Sequence, residues 1–250
     1  MVDFRPTARH GRRAAPPMEH EDPVHSSYVP ECSDRPQTIG EEIANAITHG
    51  IGAILAVACL VVGVVFASVR PYRDVWNIVS VAIYGATMVL LYLFSTLYHA
   101  INRPKTKAVL NYFDHCSIYL LIAGSYTPFC LSGIRPYSPG WGWAIFGVEW
   151  ALALAGIVYQ CLFINRYQTL SNLTYLAMGW VIVVALYPTA MALGFWPVFW
   201  TLLGGLFYSV GVFFYVRKEK KFMHSIWHLF VLAGTLSQYF VILFYLVLKK

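Results

Sequence analysis

Between residues 42 and 248 the chain is written as seven apolar stretches, each of about 20 residues or more, and this pattern leaves few folds open. They run over 42–68, 75–100, 110–132, 141–162, 170–190, 195–216 and 224–248. Each is long enough, as an α-helix rising about 1.5 Å per residue, to cross a bilayer core of roughly 30 Å. Breakers and charges separate them: Arg70-Pro71-Tyr72-Arg73, Asn102-Arg103-Pro104-Lys105, Arg135-Pro136, Asn165-Arg166, a short uncharged turn near Gly194, and Arg217-Lys218-Glu219-Lys220-Lys221. Trp141, Trp143, Trp196 and Trp200 stand near span ends, where indole rings anchor at the interface. The expected fold class is therefore an all-α membrane protein, a seven-transmembrane helix bundle. Only 12% of the residues are charged, about half the share of a soluble globular chain, which fits.

The basic residues lie in short clusters between the apolar runs, so the net charge of +6 is not a nucleic-acid signal and no nucleic-acid partner is expected. They do set orientation. Without the distal tail, nine Lys and Arg fall on the side of the N-terminus and five on the other, which predicts a cytoplasmic N-terminus and a C-terminus outside. Residues 1–38 carry no apolar run and read as a flexible cytoplasmic tail, in which His10, His20 and His25 lack regular spacing. The domain proper is 39–250, opened by a capping-box pattern at Thr38-Ile39-Gly40-Glu41. None of the five cysteines stands in a CxxC pair, and Cys59, Cys116, Cys130 and Cys161 read as small apolar residues of the spans.

With seven spans, the start of the first, the end of the second and the starts of the third and seventh share one membrane face. Each of these places carries polar residues that lipid would reject. The first span opens with Glu42, Asn45 and His49 on one helical face, the second closes with Ser95 and His99, the third opens with Asp114, and the seventh with His224 and His228. Counted along helices, His99, Asp114 and His228 lie about 6–10 Å in from the flanking charges, at one level. Alone, each has a plain structural reading, as a snorkelling tip, a helix-end charge or a hydroxyl bonded to its own backbone. Together they describe three neutral imidazoles with one position left open, the pattern of a catalytic rather than a closed zinc site. His99, His224 and His228 are the expected ligands of Zn2+. Asp114 is the expected base on a water in the fourth position, Ser95 a donor beside it, and Glu42, Asn45 and His49 the shell behind the ligands. Glu149 is assigned no role, and Gln238 and Asn172 read as interhelical hydrogen-bonders.

These residues carry a resemblance. Glu42-Ile-Ala-Asn45-Ala-Ile-Thr-His49, Ser95-Thr-Leu-Tyr-His99, Phe113-Asp114-His115, Ile118 through Pro128, and His224-Ser-Ile-Trp-His228-Leu-Phe resemble the hemolysin III family, the bacterial branch of the progestin and adiponectin receptor superfamily. The similarity covers about residues 40–248 and excludes the tail. It implies seven helices, a cytoplasmic N-terminus, and a multi-pass position in the bacterial inner (plasma) membrane. It also implies a zinc ion near the cytoplasmic side on the residues that match His99, His224 and His228, with Asp114 on the metal's water. The wider group is similar to alkaline ceramidases, which suggests hydrolysis of a lipid amide, and some bacterial members are linked to membrane lipid homeostasis. Gln238 departs from the pattern, standing where relatives often have His.

The leading expectation is thus a zinc-dependent hydrolase of lipid amide or ester bonds, with a membrane lipid as substrate. A receptor-like regulator of membrane state with structural zinc is the second reading, and a pore-forming cytolysin the third. A pore needs polar residues through the full thickness of its spans, and these stretches are short of them.

Overall fold

The computed structural model of the protein describes residues 35–69, 74–164 and 166–248. Residues 1–34, most of the expected tail, lie outside them, as do the breakers Arg70–Arg73, Asn165 and the terminal Lys249 and Lys250. The described residues are helical nearly throughout: α1 Ile39–Val69, α2 Val75–Ala100, α3 Pro104–Pro128, α4 Pro139–Phe163, α5 Gln168–Gly179, α6 Leu186–Leu193, α7 Phe195–Tyr215 and α8 Met223–Val241. Two of them widen at their C-terminal ends into π-helical turns, α3 into Phe129–Ile134 and α8 into Ile242–Val247. Among the described residues, six helices are long and apolar enough to cross a membrane, and α5 with α6 makes a seventh if that bent pair counts as one broken span.

The fifth span departs from expectation. In place of one helix over 170–190, α5 stops at Gly179, a 3-10 turn runs over Val181–Val183, and α6 restarts at Leu186 with a bend of 55°. The cause is local. Val181, Ile182, Val183 and Val184 are a β-branched run of modest helix propensity, and Pro188 fits a helix only in its first turn. Tyr126 on α3 repairs the opened backbone: its hydroxyl donates to Gly179 O at 2.8 Å and accepts from Ile182 N at 2.9 Å. A break inside a membrane is tolerated where another helix satisfies the freed groups in this way. The turn near Gly194 is where the sequence puts it, with φ of 83° that glycine adopts without steric cost.

α3 is the most enclosed helix, and α1 and α7 are the least. α2 packs between α1 and α3, and α8 pairs with α7 while also touching α1. Close approach comes from small residues. A Cβ at Gly52 of α1 would lie 2.6 Å from the Tyr92 ring, and one at Gly85 of α2 would lie 2.5 Å from a Leu60 methyl. The largest core cluster joins α1, α2, α3 and α8 through Tyr84, Tyr92, Leu121, Phe129, Val231 and Tyr239.

The buried phenols of that region converge on Thr235 of α8. Its hydroxyl donates to Val231 O, and so accepts from both Tyr92 and Tyr208 at 2.8 Å, while Tyr84 donates to its carbonyl at 3.0 Å. A buried tyrosine is apolar body and polar tip, and here each tip is used to tie helices together. Gln238 is an interhelical bonder as expected, donating from Nε2 to Thr201 O on α7 at 2.9 Å. Glu149 is wholly buried on α4 between Ile145 and Ala153, with no partner for either carboxyl oxygen among the described residues. Cys59, Cys116, Cys130 and Cys161 are free.

Candidate metal centre

The centre forms where the N-terminal ends of α1 and α8 meet the C-terminal end of α2. The capping box read from sequence is present at the start of α1: Thr38 N donates to Glu41 Oε2 at 2.9 Å, and Glu41 N reaches Thr38 Oγ1 at 3.4 Å. Glu41 serves a second helix as well. Its Oε1 accepts from Phe222 N at 2.9 Å, at the N-cap of α8, where Phe222 holds a left-handed φ of 61°. Arg35 closes on the same carboxylate with two guanidinium bonds. One buried acid thereby fixes the entry of α1 against the entry of α8.

That registration brings three imidazoles together. One ring nitrogen each from His99, His224 and His228 lies within 4.8 Å of the others. The rings meet at steep angles, 61° between His99 and His224, 66° between His99 and His228 and 64° between His224 and His228. The Nε2 atoms of all three are buried with no hydrogen-bond partner among the described residues. Three buried ring nitrogens without partners, on residues this close together, are costly to leave so. A cation bound by neutral nitrogen donors removes that cost, so the residues fit a metal.

The tautomers follow from the other ring nitrogens. His99 Nδ1 lies 2.7 Å from Glu42 Oε2, and a carboxylate only accepts, so the proton sits on Nδ1 and leaves Nε2 as a lone pair. His228 Nδ1 lies 3.1 Å from Thr48 Oγ1; that hydroxyl already donates to Asn45 O, so it accepts from the ring. Both holders belong to α1. Glu42 is itself steadied by Lys107 Nζ at 2.9 Å from α3. Asn45 is fully buried; its amide donates to Gln37 Oε1 at 2.6 Å and accepts from Ser225 Oγ at 2.5 Å, beside His99.

The remaining expected residues are placed as follows. Ser95, one turn from His99, is buried and its hydroxyl has no partner among the described residues, whereas Thr87 and Thr96 on the same helix bond back to carbonyls of their own helix. Asp114 is not one of the mutually close ligands; it lines an adjoining cavity, with His115 Nδ1 3.9 Å from its Oδ2. His49 is buried and stacked on His228, with ring centroids 3.4 Å apart and planes 10° from parallel. The cavity, about 120 Å³, runs from His49, Asp114 and Trp227 between α3, α5, α7 and α8 as far as Gln238. Asn172 lines it too.

Sequence reasoning missed Thr48, Ser225, Lys107 and the second task of Glu41. Thr48 carries a signal, since it lies one helical turn beyond Asn45 and beside His49. Lys107 carries none: as a loop-end lysine it counts toward orientation and as a marker of depth.

With the geometry in hand, comparison with known proteins is informative. A family model described as Haemolysin-III related matches residues 37–239. A hemolysin-3 homolog of Bacillus subtilis (strain 168) is 47% identical over 213 residues, covering 84% of this chain and 96% of its own. Hemolysin-3 of Bacillus cereus is 44% identical over 209 residues, with 84% and 93% covered. The human monocyte to macrophage differentiation factor is 29% identical over 239 residues, with 92% and 91% covered.

Proposed function

Because the chain belongs to the haemolysin-III related family, within the progestin and adiponectin receptor superfamily, and is a multi-pass membrane protein with a histidine cluster able to coordinate a metal, we propose that it is a zinc-dependent hydrolase of lipid amide or ester bonds. The observation that carries this reading is the set of three orphaned Nε2 atoms, two of them aimed by acceptors on α1. A zinc ion held there supplies Lewis acidity, which polarises a carbonyl and brings the ionisation of water toward neutral pH. A three-histidine set leaves a coordination position open, as hydrolysis requires and a closed structural site does not.

The chain's own residues divide the work. Glu42 and Thr48 hold the rings of His99 and His228 in the ligating tautomer. Asp114, which lines the cavity, accepts the proton of the attacking water. Ser95, one turn from His99 and with a hydroxyl that has no partner among the described residues, donates to the carbonyl oxygen as charge builds on it. The apolar cavity walls, among them Ile118, Leu121, Ile122 and Phe129, exclude water and accept acyl carbons, so a membrane lipid is the substrate class. We place the centre near the cytoplasmic face of the bacterial plasma membrane, following the Lys and Arg balance of the loops.

The test is metal analysis joined to turnover. Purified protein contains about one zinc per chain and releases free fatty acid from a panel of N-acyl and O-acyl lipids. His99→Ala loses both, and Asp114→Asn keeps the metal and loses turnover. Zinc in the wild type without turnover of any lipid, with Asp114→Asn indistinguishable from it, favours the receptor-like reading with structural metal instead.

A further inference from the structure

His49 is not accounted for by metal binding. An ion in contact with a histidine lies in the plane of that ring. The rings of His49 and His228 are stacked 3.4 Å apart and within 10° of parallel, so an ion lying in the plane of His228 lies well out of the plane of His49. Accordingly His49 is absent from the group of mutually close ligand atoms.

Its position is nonetheless strongly held. Tyr92 meets it edge-on at 5.1 Å, Trp227 lies at 6.3 Å, and only 2% of its surface is exposed. Neither ring nitrogen has a hydrogen-bond partner among the described residues; the backbone of His228 lies nearby without meeting hydrogen-bond geometry. A buried imidazole always presents a donor, and when neutral an acceptor as well, and each group left unpaired is unfavourable. His49 lines the cavity at its metal end, together with Asp114. One ring face is covered by His228, and the ring nitrogens on its edge are left to meet whatever polar group occupies the cavity.

Resting on the hydrolase reading above, we infer that His49 is a substrate-contacting residue: it hydrogen-bonds the polar group next to the scissile carbonyl of the cavity-bound lipid, an amide N–H or a hydroxyl, and so orients that carbonyl toward the histidine cluster. This assigns the selectivity for lipids bearing such a group to α1. His228 is aligned by Thr48 on its edge and by His49 on its face, so the ring that positions the substrate is registered directly against a ring that positions the metal.

The experiment uses binding, not turnover. Full-length protein in detergent is loaded with Co2+ and titrated with dodecanohydroxamic acid, a chelating probe with a polar N–H group and an acyl chain, following the cobalt absorption bands. His49→Phe keeps a flat ring able to stack on His228 and removes both nitrogens; His49→Leu makes the same comparison if the phenyl ring is not accommodated. The variant takes up cobalt with the same stoichiometry and the same bands before probe is added. Its dissociation constant for the probe rises about tenfold, the loss expected for one buried hydrogen bond, and His49→Gln recovers part of it. Equal affinities in cobalt-loaded wild type and His49→Phe overturn this inference alone. Loss of cobalt from His49→Phe and His49→Leu also overturns it, by making His49 part of the ligand set. A wild type that takes up no cobalt overturns the metal-centre reading, and this one with it.

Discussion

A histidine offers Nε2 to a cation only while its proton stays on Nδ1, and here two side chains of the first helix decide where that proton sits. Glu42 does so with charge, at 2.7 Å from His99, and Thr48 with a hydroxyl whose own proton is committed to Asn45 O. Outer partners of this kind are worth about 10–100-fold in metal affinity. Thr48→Val, which keeps the shape and removes the acceptor, is expected to weaken zinc binding by about tenfold, read by competition with a chromogenic chelator. Glu42→Gln is expected to weaken it by a comparable or larger factor, because it removes the charge that Lys107 also meets. Glu41 acts on stability instead. Glu41→Ala removes the side-chain bonds at the entries of α1 and α8 together and leaves Phe222 N without its partner, so unfolding should be easier by about 1–3 kcal/mol, visible as a lower Tm in detergent.

Among the helices, the instructive case is the pair α5 and α6. Their break is held by a hydroxyl from a third helix, which closes both sides of the opened backbone through Gly179 O and Ile182 N. Tyr126→Phe should therefore cost about 1–3 kcal/mol while leaving zinc stoichiometry unchanged, a pairing that thermal melting and metal analysis check on one sample. The same pair marks the limit of what could be read beforehand. Pro188 announces a disturbance, but periodicity cannot say that the chain leaves helix at Gly179, because the group that makes this tolerable lies 53 residues away on α3. The start of α1 was legible because a capping box is a local pattern. The histidine cluster was legible for a related reason: spacing of four residues fixes a face, and counting residues fixes depth. The outer partners were legible only as a stripe. Glu42, Asn45 and His49 share a face, yet which of them bonds, which bridges and which stacks depends on how α1 is rotated against α2 and α8. Thr48 sits just off that stripe and was missed for that reason.

At the scale of the whole protein, the histidine cluster joins the second helix to the last, and the groups that hold two of its rings come from the first. Binding to the folded state alone stabilises it by mass action. Removing zinc with a strong chelator should lower Tm by several degrees, zinc should restore it, and His99→Ala should show a low Tm that neither treatment moves. The phenols gathered on Thr235 span α2, α7 and α8 independently of the metal, so the stripped protein should keep its helical circular dichroism.

The capping carboxylate of Glu41 has one more consequence, which concerns the order of biosynthesis. It ties residues near the beginning of the chain to a backbone amide 181 positions later. Until the final apolar segment has been made, this carboxylate lacks its partner at Phe222, and the three imidazoles cannot meet. Any metal uptake by this cluster is thus expected only after the last segment is in place, and a product truncated before His224 should bind none.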